Sequence, residues 1–405
     1  MFKGVAARSI VLFAALLLCP SLLSSATTPQ RDPFCSEQGC VETRQLLKNL
    51  CDFIVKEKSR FPTIYIGGYY MRTLVAGYEI FGDRRYLDTA VAYGDYLLSK
   101  QMPNGFWATG YGPVYLADTG SALGLLVALY KHVDRERQKK YFAAVKRYVA
   151  SIEKDGMIHP NGALGTGWRH VHGETLVGPI YDQYTLSSAL TGGEIFTWMY
   201  HLTKQDQYRE VAYHALRWVL STMRSDGNIP YILAMEGADW TQQENALNDY
   251  HLWNASTYGT SAYVGEGILS FDLHCGNPKW ETWIEKAVRP NIEFLLRTQL
   301  ANGTWSKLGR TSWDRTRSPG IIDYLIWYYD HVDHDPRIAR AVRQFDSFIV
   351  NRENGKSFGL LNDGANPNSK GSANAFNTAT SLTGRAVADI LSPGVDSHWS
   401  RTVRE

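Results

Sequence analysis

The 405-residue sequence predicts an all-α protein, an (α/α)6 toroid made of six helical hairpins. One helix–turn–helix pattern recurs five times along the chain, and one unpaired helix is left over at each end. The first helix of each pattern is apolar nearly all round, whereas the second carries a polar stripe. Inner apolar helices surrounded by outer amphipathic helices describe a toroid, and pairing the two end helices closes it.

Each pattern runs from an apolar helix through a short polar turn to an amphipathic helix, and then to Asn-Gly or Asp-Gly and a loop. The apolar helices are predicted to begin at Tyr65, Ala117, Leu190, Ala262 and Ile321. The amphipathic helices that follow are predicted to end at Lys100, Ile152, Met223, Leu300 and Val350. The unpaired helices are expected near 42–58 and 373–390. A helical solenoid is the rival architecture, but the polar capping repeats that it requires are absent from the sequence.

The first 26 residues have the features of a secretory signal peptide. Lys3 and Arg8 precede a short apolar run, and small residues at 24–26 offer a cleavage site. The run is too short to cross a bilayer, so we expect no stable membrane span. The sequence therefore predicts a secreted or periplasmic protein.

The remaining chain is expected to form one domain with short flanks. We predict an N-terminal segment at 27–40, the toroid at 41–392 and a C-terminal tail at 393–405. Cleavage would leave four cysteines, which allow three disulfide pairings. They are Cys35, Cys40, Cys51 and Cys275.

Charge and composition exclude some classes of partner and draw attention to the aromatic residues. The chain has 42 basic and 40 acidic residues, a near balance that argues against a nucleic-acid binder. No dinucleotide fingerprint, P-loop or paired C-x-x-C spacing occurs, so we expect no cofactor and no metal. Aromatic residues reach 13%, including 12 tryptophans.

The loops that lead from outer to inner helices are long, and in an up-down ring they all emerge on one face. Long loops in a compact domain often carry function. Half of the tryptophans fall in these loops: Trp107, Trp168, Trp240, Trp253, Trp305 and Trp313. Aromatic faces stack on the C–H faces of sugar rings, so this face is predicted to bind an oligosaccharide or polysaccharide; the alternative is that these rings pack the loops onto the barrel.

Two carboxylates are the first candidates for acid/base catalysis of glycosidic hydrolysis. Asp118 is predicted at the start of the second inner helix, where an N-capping role is an alternative. Asp182 lies in one of the two longest loops. A lyase or epimerase would instead abstract a proton beside a uronate carboxylate, with His172 or Tyr184 as acid/base and Arg72 neutralising that carboxylate.

Other candidates are expected to bind substrate without reacting. Trp168 and Trp253 are candidates for stacking, and His251 for a subsite contact. Arg72, Glu194 and Asp323 each precede an aromatic residue by six positions inside an apolar helix. Because such charges are costly unless paired or facing a cavity, we expect them to line the lumen, where they pair with each other or contact substrate.

Two motifs make the chain resemble the six-hairpin glycosidase superfamily. The first is the turn Gly82–Leu87, and the second is the ending Gln101–Trp107. Within that superfamily, Asp118-Thr119-Gly120 is similar to the Asp-x-Gly site of unsaturated glucuronyl hydrolases, which implies an acid/base role for Asp118. The family's tryptophan- and aspartate-bearing first-helix segment is replaced here by residues 67–72.

The leading hypothesis is a glycoside hydrolase acting on uronate-containing oligosaccharides. Asp118 would act as general acid/base with Asp182 as its partner. The alternatives are a polysaccharide lyase or glucuronyl C5-epimerase, which occur on related toroids, and a non-catalytic sugar-binding protein.

Overall fold

Twelve helices, alternately outer and inner, build the part of the chain that the computed structural model describes. That part comprises residues 34–35, 40–57, 64–108, 114–171, 175–229, 233–234, 257–276, 280–301, 303–305, 318–353 and 378–391. The outer helices are α1 (Val41–Glu57), α3 (Arg84–Lys100), α5 (Arg135–Lys154), α7 (Asp206–Ser221), α9 (Trp280–Trp283, Ile284–Val288 and Arg289–Thr298) and α11 (Pro336–Glu353). The inner helices are α2 (Ile64–Phe81), α4 (Leu116–Leu129), α6 (Ser187–Ile195 continued by Phe196–Thr203), α8 (Thr257–Cys275), α10 (Ser318–His331) and α12 (Thr378–Leu391).

The six inner helices form a closed ring. Each packs against the next in chain order, and α12 returns to pack against α2. The amphipathic α1 packs against α12, so the two end helices form the sixth hairpin, as predicted. Helix α4 shows why these helices are apolar on every side, because all its residues except Asp118 are buried. The predicted (α/α)6 toroid is confirmed.

Short turns with good capping residues join inner helices to outer ones. Asp83 caps α3 by accepting from the backbone N–H of Arg85, and Asp134 caps α5 by accepting from that of Arg137. Gly82 ends α2 with a φ of 71°, a left-handed conformation that glycine adopts without steric cost. The polar turns predicted from the sequence therefore stop one helix and start the next.

A second kind of turn fastens each of two outer helices to its neighbour. In 101–107, Gln101 Nε2 donates to the carbonyl of Gly105 at 2.9 Å and to that of Ala144 on α5 at 2.8 Å. Trp107 Nε1 donates back to the carbonyl of Leu97 on α3 at 2.7 Å. The same bonds recur in 299–305, from Gln299 to Gly303 and Ala341 and from Trp305 to Leu295. We name this sequence the Gln-Asn-Gly-Trp turn.

A small antiparallel sheet departs from the purely helical expectation. Its strands are β1 (Val114–Tyr115), β2 (Gly165–Val171), β3 (Thr175–Tyr184) and β4 (Leu233–Ala234), in that spatial order. Strand β1 leads directly into α4, and β3 leads into the start of α6. The sheet therefore lies where the long outer-to-inner loops were predicted, at the N-terminal ends of the inner helices.

The cysteines form fewer bridges than their even number suggested. Cys35 and Cys40 are joined, which attaches the segment preceding α1, whereas Cys51 and Cys275 are free thiols. Burial raises the pKa of Cys51 far above its usual range, and burial raises the pKa of Cys275 to about 12. Among the described residues, no helix has the length and apolar content to cross a membrane. The predicted signal peptide and C-terminal tail lie outside those residues.

Candidate active site

The lumen of the inner ring is crossed by a layer of buried charges. Arg72 Nη2 lies 3.1 Å from Glu194 Oε1, which confirms the predicted pairing of those two residues. Arg385 bridges two acids, with Nη1 2.7 Å from Glu266 Oε1 and Nη2 2.8 Å from Asp323 Oδ2. Arg72 also approaches Glu266, at 3.9 Å. All five side chains are at most 2% exposed. We call them the ionic layer.

The ionic layer contains one residue from each of five inner helices. The sixth inner helix, α4, has a glycine where it passes the side chain of Arg72. A side chain at Gly124 on α4 would place its Cβ 2.6 Å from Arg72 Nη1. Glycine at that position lets Arg72 on α2 reach past α4 to Glu194 on α6. These contacts support the alternative of structural pairing for Arg72 and Asp323, whereas their predicted contact with substrate stays a prediction.

Sequence reasoning missed Glu266 and Arg385 in this layer. Both carry part of the signal that identified the other three, because each is a charge in the middle of an inner helix with few charged residues. Neither is followed by an aromatic residue six positions later, which is the spacing that the prediction relied on.

A cluster of apolar and aromatic side chains, separate from the main core, lies one helical turn closer to the mouth. Its buried members are Tyr69, Ala117, Tyr184, Leu186, Leu190 and Tyr263, with Tyr115 packed against them. Tyr69, Leu190 and Tyr263 precede members of the ionic layer by three or four residues, so they lie above it on the same helix faces. We call this cluster the aromatic layer.

Tyr69 connects the two layers. Its hydroxyl forms a 2.9 Å hydrogen bond with Ser121 Oγ on α4, and its ring lies 5.8 Å from the guanidinium of Arg72 and 5.7 Å from that of Arg385. Burial, and then the charge of Glu266, raise the pKa of Tyr69 well above its usual value. The phenol is therefore protonated at neutral pH, and its position is fixed from both sides.

Asp118 lies in the first turn of α4, beside the aromatic layer. The N-capping position belongs to Tyr115, so Asp118 is the third residue of the helix and the alternative of an N-capping role is wrong. It is half-buried in a helix whose other residues are all buried. Burial, and then the charge of Asp118, raise the pKa of Tyr115, so the carboxylate lies close enough to act on that neighbour.

The sheet brings Asp182 and Tyr184 to the same end as Asp118. Tyr115 on β1 pairs with Gly167 on β2, which pairs with Ile180 on β3. Beyond that register β1 and β3 both run toward the start of an inner helix. Asp118 follows the end of β1 by three residues and Asp182 lies two residues beyond Ile180 on β3, so both come after this register in the direction of an inner helix.

Three loop tryptophans have structural contacts. Trp168 is 2% exposed, stacks on Phe106 at 3.6 Å between ring centroids, and donates its indole N–H to Asp155 at 2.8 Å. Trp107 and Trp305 are buried within the Gln-Asn-Gly-Trp turns. These contacts support the alternative that loop aromatics pack the loops onto the barrel, and the predicted stacking of Trp168 on substrate stays a prediction.

Three predicted site residues, His172, His251 and Trp253, lie outside the described residues. Within the described ranges, no group of three or more His, Cys, Asp or Glu side chains is arranged to hold a metal ion.

Comparison with solved structures identifies the same architecture elsewhere. A UGL variant in complex with dGlcA-Glc-Rha-Glc is 15% identical and has a TM-score of 0.63, over 90% of this chain and 100% of that one. A possible member of the GH105 family from Klebsiella pneumoniae is 13% identical with a TM-score of 0.61, over 93% and 99%. Cellobiose 2-epimerase from Spirochaeta thermophila is 15% identical with a TM-score of 0.58, over 81% and 85%.

These similarities establish that the chain has the six-hairpin fold. A type II terpene cyclase from Scytonema shares that fold, at 13% identity and a TM-score of 0.53 over 86% of this chain and 97% of that one. No protein-family model matches the sequence, and no curated protein sequence matches it. Because one fold serves several chemistries, function has to be argued from the site.

Proposed function

We propose that this protein is a carbohydrate-active enzyme, a glycoside hydrolase that acts on uronate-containing oligosaccharides. The observation that carries the proposal is the half-buried Asp118 beside an aromatic layer at the mouth of the toroid. An aromatic surface next to a carboxylate suits a sugar ring, whose C–H face is apolar and whose glycosidic oxygen accepts a proton. The solved hydrolase-like and epimerase structures with this fold add support.

In this proposal Asp118 is the general acid/base and Asp182 is its partner. The protonated carboxyl of Asp118 donates to the departing oxygen while the bond from that oxygen to the sugar carbon breaks. The carboxylate of Asp182 accepts a proton from the attacking water, which forms the new bond to that carbon. Tyr115, Tyr184 and Tyr263 would contact the substrate's apolar face.

His172, His251 and Trp253 complete the proposed site. His172 would polarise the substrate carboxylate, while Trp253 and His251 would form a further subsite; these roles rest on the sequence alone. Secretion or export to the periplasm likewise rests on the N-terminal residues 1–26.

The test is turnover of oligosaccharides by the Asp118→Asn variant. A panel of saturated and unsaturated uronate oligosaccharides is followed by reducing ends and by the ultraviolet absorbance of the C4–C5 double bond. We expect the substitution to lower kcat by about a thousandfold, since a general acid/base contributes on the order of 10²–10⁴. Asp88→Asn, at an exposed acid on α3, is the matched control and should retain full activity. Full activity of Asp118→Asn would rule out the assignment.

A β-eliminating lyase or an epimerase is the second candidate. The observation in its favour is that Tyr184 is 6% exposed within the aromatic layer, where burial limits competition from water. The same panel separates the reactions: elimination creates the ultraviolet absorbance, and hydrolysis of an unsaturated substrate removes it. Epimerisation leaves both the absorbance and the reducing ends unchanged. Binding across the panel without any turnover would indicate a non-catalytic sugar-binding protein.

A further inference from the structure

A shallow pocket lies on the outside of the β2–β3 hairpin, apart from the aromatic layer. Its volume is about 430 Å³, and no residue of the aromatic layer lines it. We call it the rim site, and its walls are Asn104, Lys154, Asp155, Trp168, Gly178, Pro179 and Tyr181. Three elements meet there: the turn after α3, the end of α5 and the β2–β3 hairpin.

The rim site has rigid walls. Trp168 is fixed by its indole bond to Asp155 and by its stacking on Phe106. The turn after α3 is held to α5 by a 2.5 Å hydrogen bond from Ser151 Oγ to the carbonyl of Asn104. A pocket whose walls are set by packing loses little conformational entropy when it binds a ligand.

Tyr181 is an exposed aromatic residue of this pocket, which Trp168 and Pro179 also line. Its side chain is 42% exposed. Two other tyrosines of the small sheet, Tyr115 on β1 and Tyr184 on β3, are less exposed. The pairing of Gly165 with Gln183 and of Gly167 with Ile180 leaves an extra residue in β3 at 181–182. Such a bulge re-aims side chains, and bulges are common next to binding sites.

The polar groups of the pocket can bind vicinal hydroxyls. Among the described residues, the Lys154 ammonium takes part in no ion pair, and the Asn104 side chain is used only through Oδ1, which accepts from Phe106 N–H. Lys154 Nζ and Asn104 Nδ2 are therefore donors, and the Asp155 carboxylate is an acceptor. One cation and one anion leave the pocket without net charge, so it favours a neutral ligand over an anionic one.

We propose that the rim site binds a neutral pyranose unit of an oligosaccharide, with its C–H face on Tyr181 and Pro179. Its hydroxyls would bond to Lys154, Asn104 and Asp155. This inference rests on the proposed function in one respect: the unit belongs to the same saccharide substrates. The rim site would hold a part of the chain that does not react.

The test is calorimetric titration with cellotetraose, a neutral probe, and with tetragalacturonate, an anionic one. The parent for binding is Asp118→Asn, which suppresses turnover. Tyr181→Ala on that parent should weaken binding of cellotetraose about tenfold, the loss typical of a central aromatic contact. Lys154→Met should weaken it by a smaller factor. Tyr96→Ala is the matched control, because Tyr96 is 44% exposed on α3 and does not line the rim site; it should bind like the parent.

Three results would overturn the rim site: no binding of cellotetraose by the parent, equal affinity of Tyr181→Ala and parent, or Tyr181-dependent binding of tetragalacturonate alone. Thermal unfolding of Tyr181→Ala, compared with Tyr96→Ala, excludes misfolding as the cause of lost affinity. The two proposals fail separately. Turnover that requires Asp118 with no role for Tyr181 retains the enzyme and removes the rim site, whereas Tyr181-dependent binding without turnover does the reverse.

Discussion

At the scale of single residues, the most unusual feature is the set of buried charges. Arg385 lies between Glu266 and Asp323 and beside Tyr69. A buried ion pair contributes little net stability when it is compared with an apolar pair of the same size. Removing only one partner of such a pair is costly, however, because the opposite charge stays buried and cannot be hydrated by water. The layer therefore fixes which helices face each other, and it positions Tyr69 below the mouth.

Arg385→Met is expected to lower the free energy of unfolding by about 3–5 kcal/mol, because the buried carboxylates of Glu266 and Asp323 both lose the charge and the hydrogen bond that Arg385 supplies. Urea unfolding at neutral pH measures the change. Adding Glu266→Gln and Asp323→Asn to this variant should recover part of the loss, since both carboxylate charges are then gone. Arg84→Met, at the exposed pair with Asp88, is the control and should unfold at nearly the parent urea concentration. A midpoint for Arg385→Met equal to that of the parent would contradict the role assigned to the layer.

At the scale of elements, the Gln-Asn-Gly-Trp turn explains how outer helices stay in register. Gly105 has a φ of 90°, and a Cβ there would lie 2.8 Å from the carbonyl oxygen of Arg147 on α5. The chain can therefore approach the next outer helix closely only with glycine at this position. This turn is one of the two motifs that make the chain resemble six-hairpin enzymes, and its contacts are structural.

Gly105→Ala should destabilise the protein by about 3 kcal/mol, because it adds a steric clash with backbone to the strain of a left-handed φ. Gly82→Ala separates the two effects: Gly82 has a φ of 71°, but a Cβ added there would meet nothing within 4 Å. That variant should lose only about 1 kcal/mol. The difference in unfolding midpoint between the two variants is the measurement. Equal losses would mean that the close approach to α5 contributes nothing.

At the scale of the whole molecule, closure of the ring joins residues that are far apart in sequence. Thr43 on α1 donates to the carboxylate of Asp346 on α11, with 2.9 Å to Oδ1 and 3.0 Å to Oδ2. Both residues are buried, and 303 positions separate them. The contact joins the outer helices of the fifth and sixth hairpins, and the sixth contains the N-terminal helix, so the contact forms only when the toroid closes.

Thr43→Val should lower the free energy of unfolding by about 1–3 kcal/mol, because a buried carboxylate loses a hydrogen-bond donor. Thr89→Val provides the comparison: Thr89 donates to the carbonyl of Arg85 within α3, a bond that does not depend on ring closure. Denaturant unfolding of both variants gives the difference. A loss at Thr43 no greater than that at Thr89 would show that this seam contact does not stabilise the closed ring.

Local sequence patterns determined the helices, their inner or outer position and the closed ring. These follow from periodicity and capping, which depend on residues a few positions apart. The second inner helix, predicted to begin at Ala117, begins at Leu116, and the first outer helix, predicted at 42–58, is Val41–Glu57. The same kind of signal identified Arg72, Glu194 and Asp323 as lumen residues.

Tertiary structure alone decided which groups meet. Glu266 and Arg385 pair across 119 positions, and the strands of the small sheet pair through long loops, so no local pattern encodes either contact. Tertiary packing also shows that the aromatic residues belong to two groups. Trp107, Trp168 and Trp305 pack in the main core and hold loops in place, whereas the tyrosines of the aromatic layer form a separate cluster. The sequence does not tell whether an aromatic residue packs in the core or lies at the mouth of the toroid. Only its neighbours in space distinguish the two.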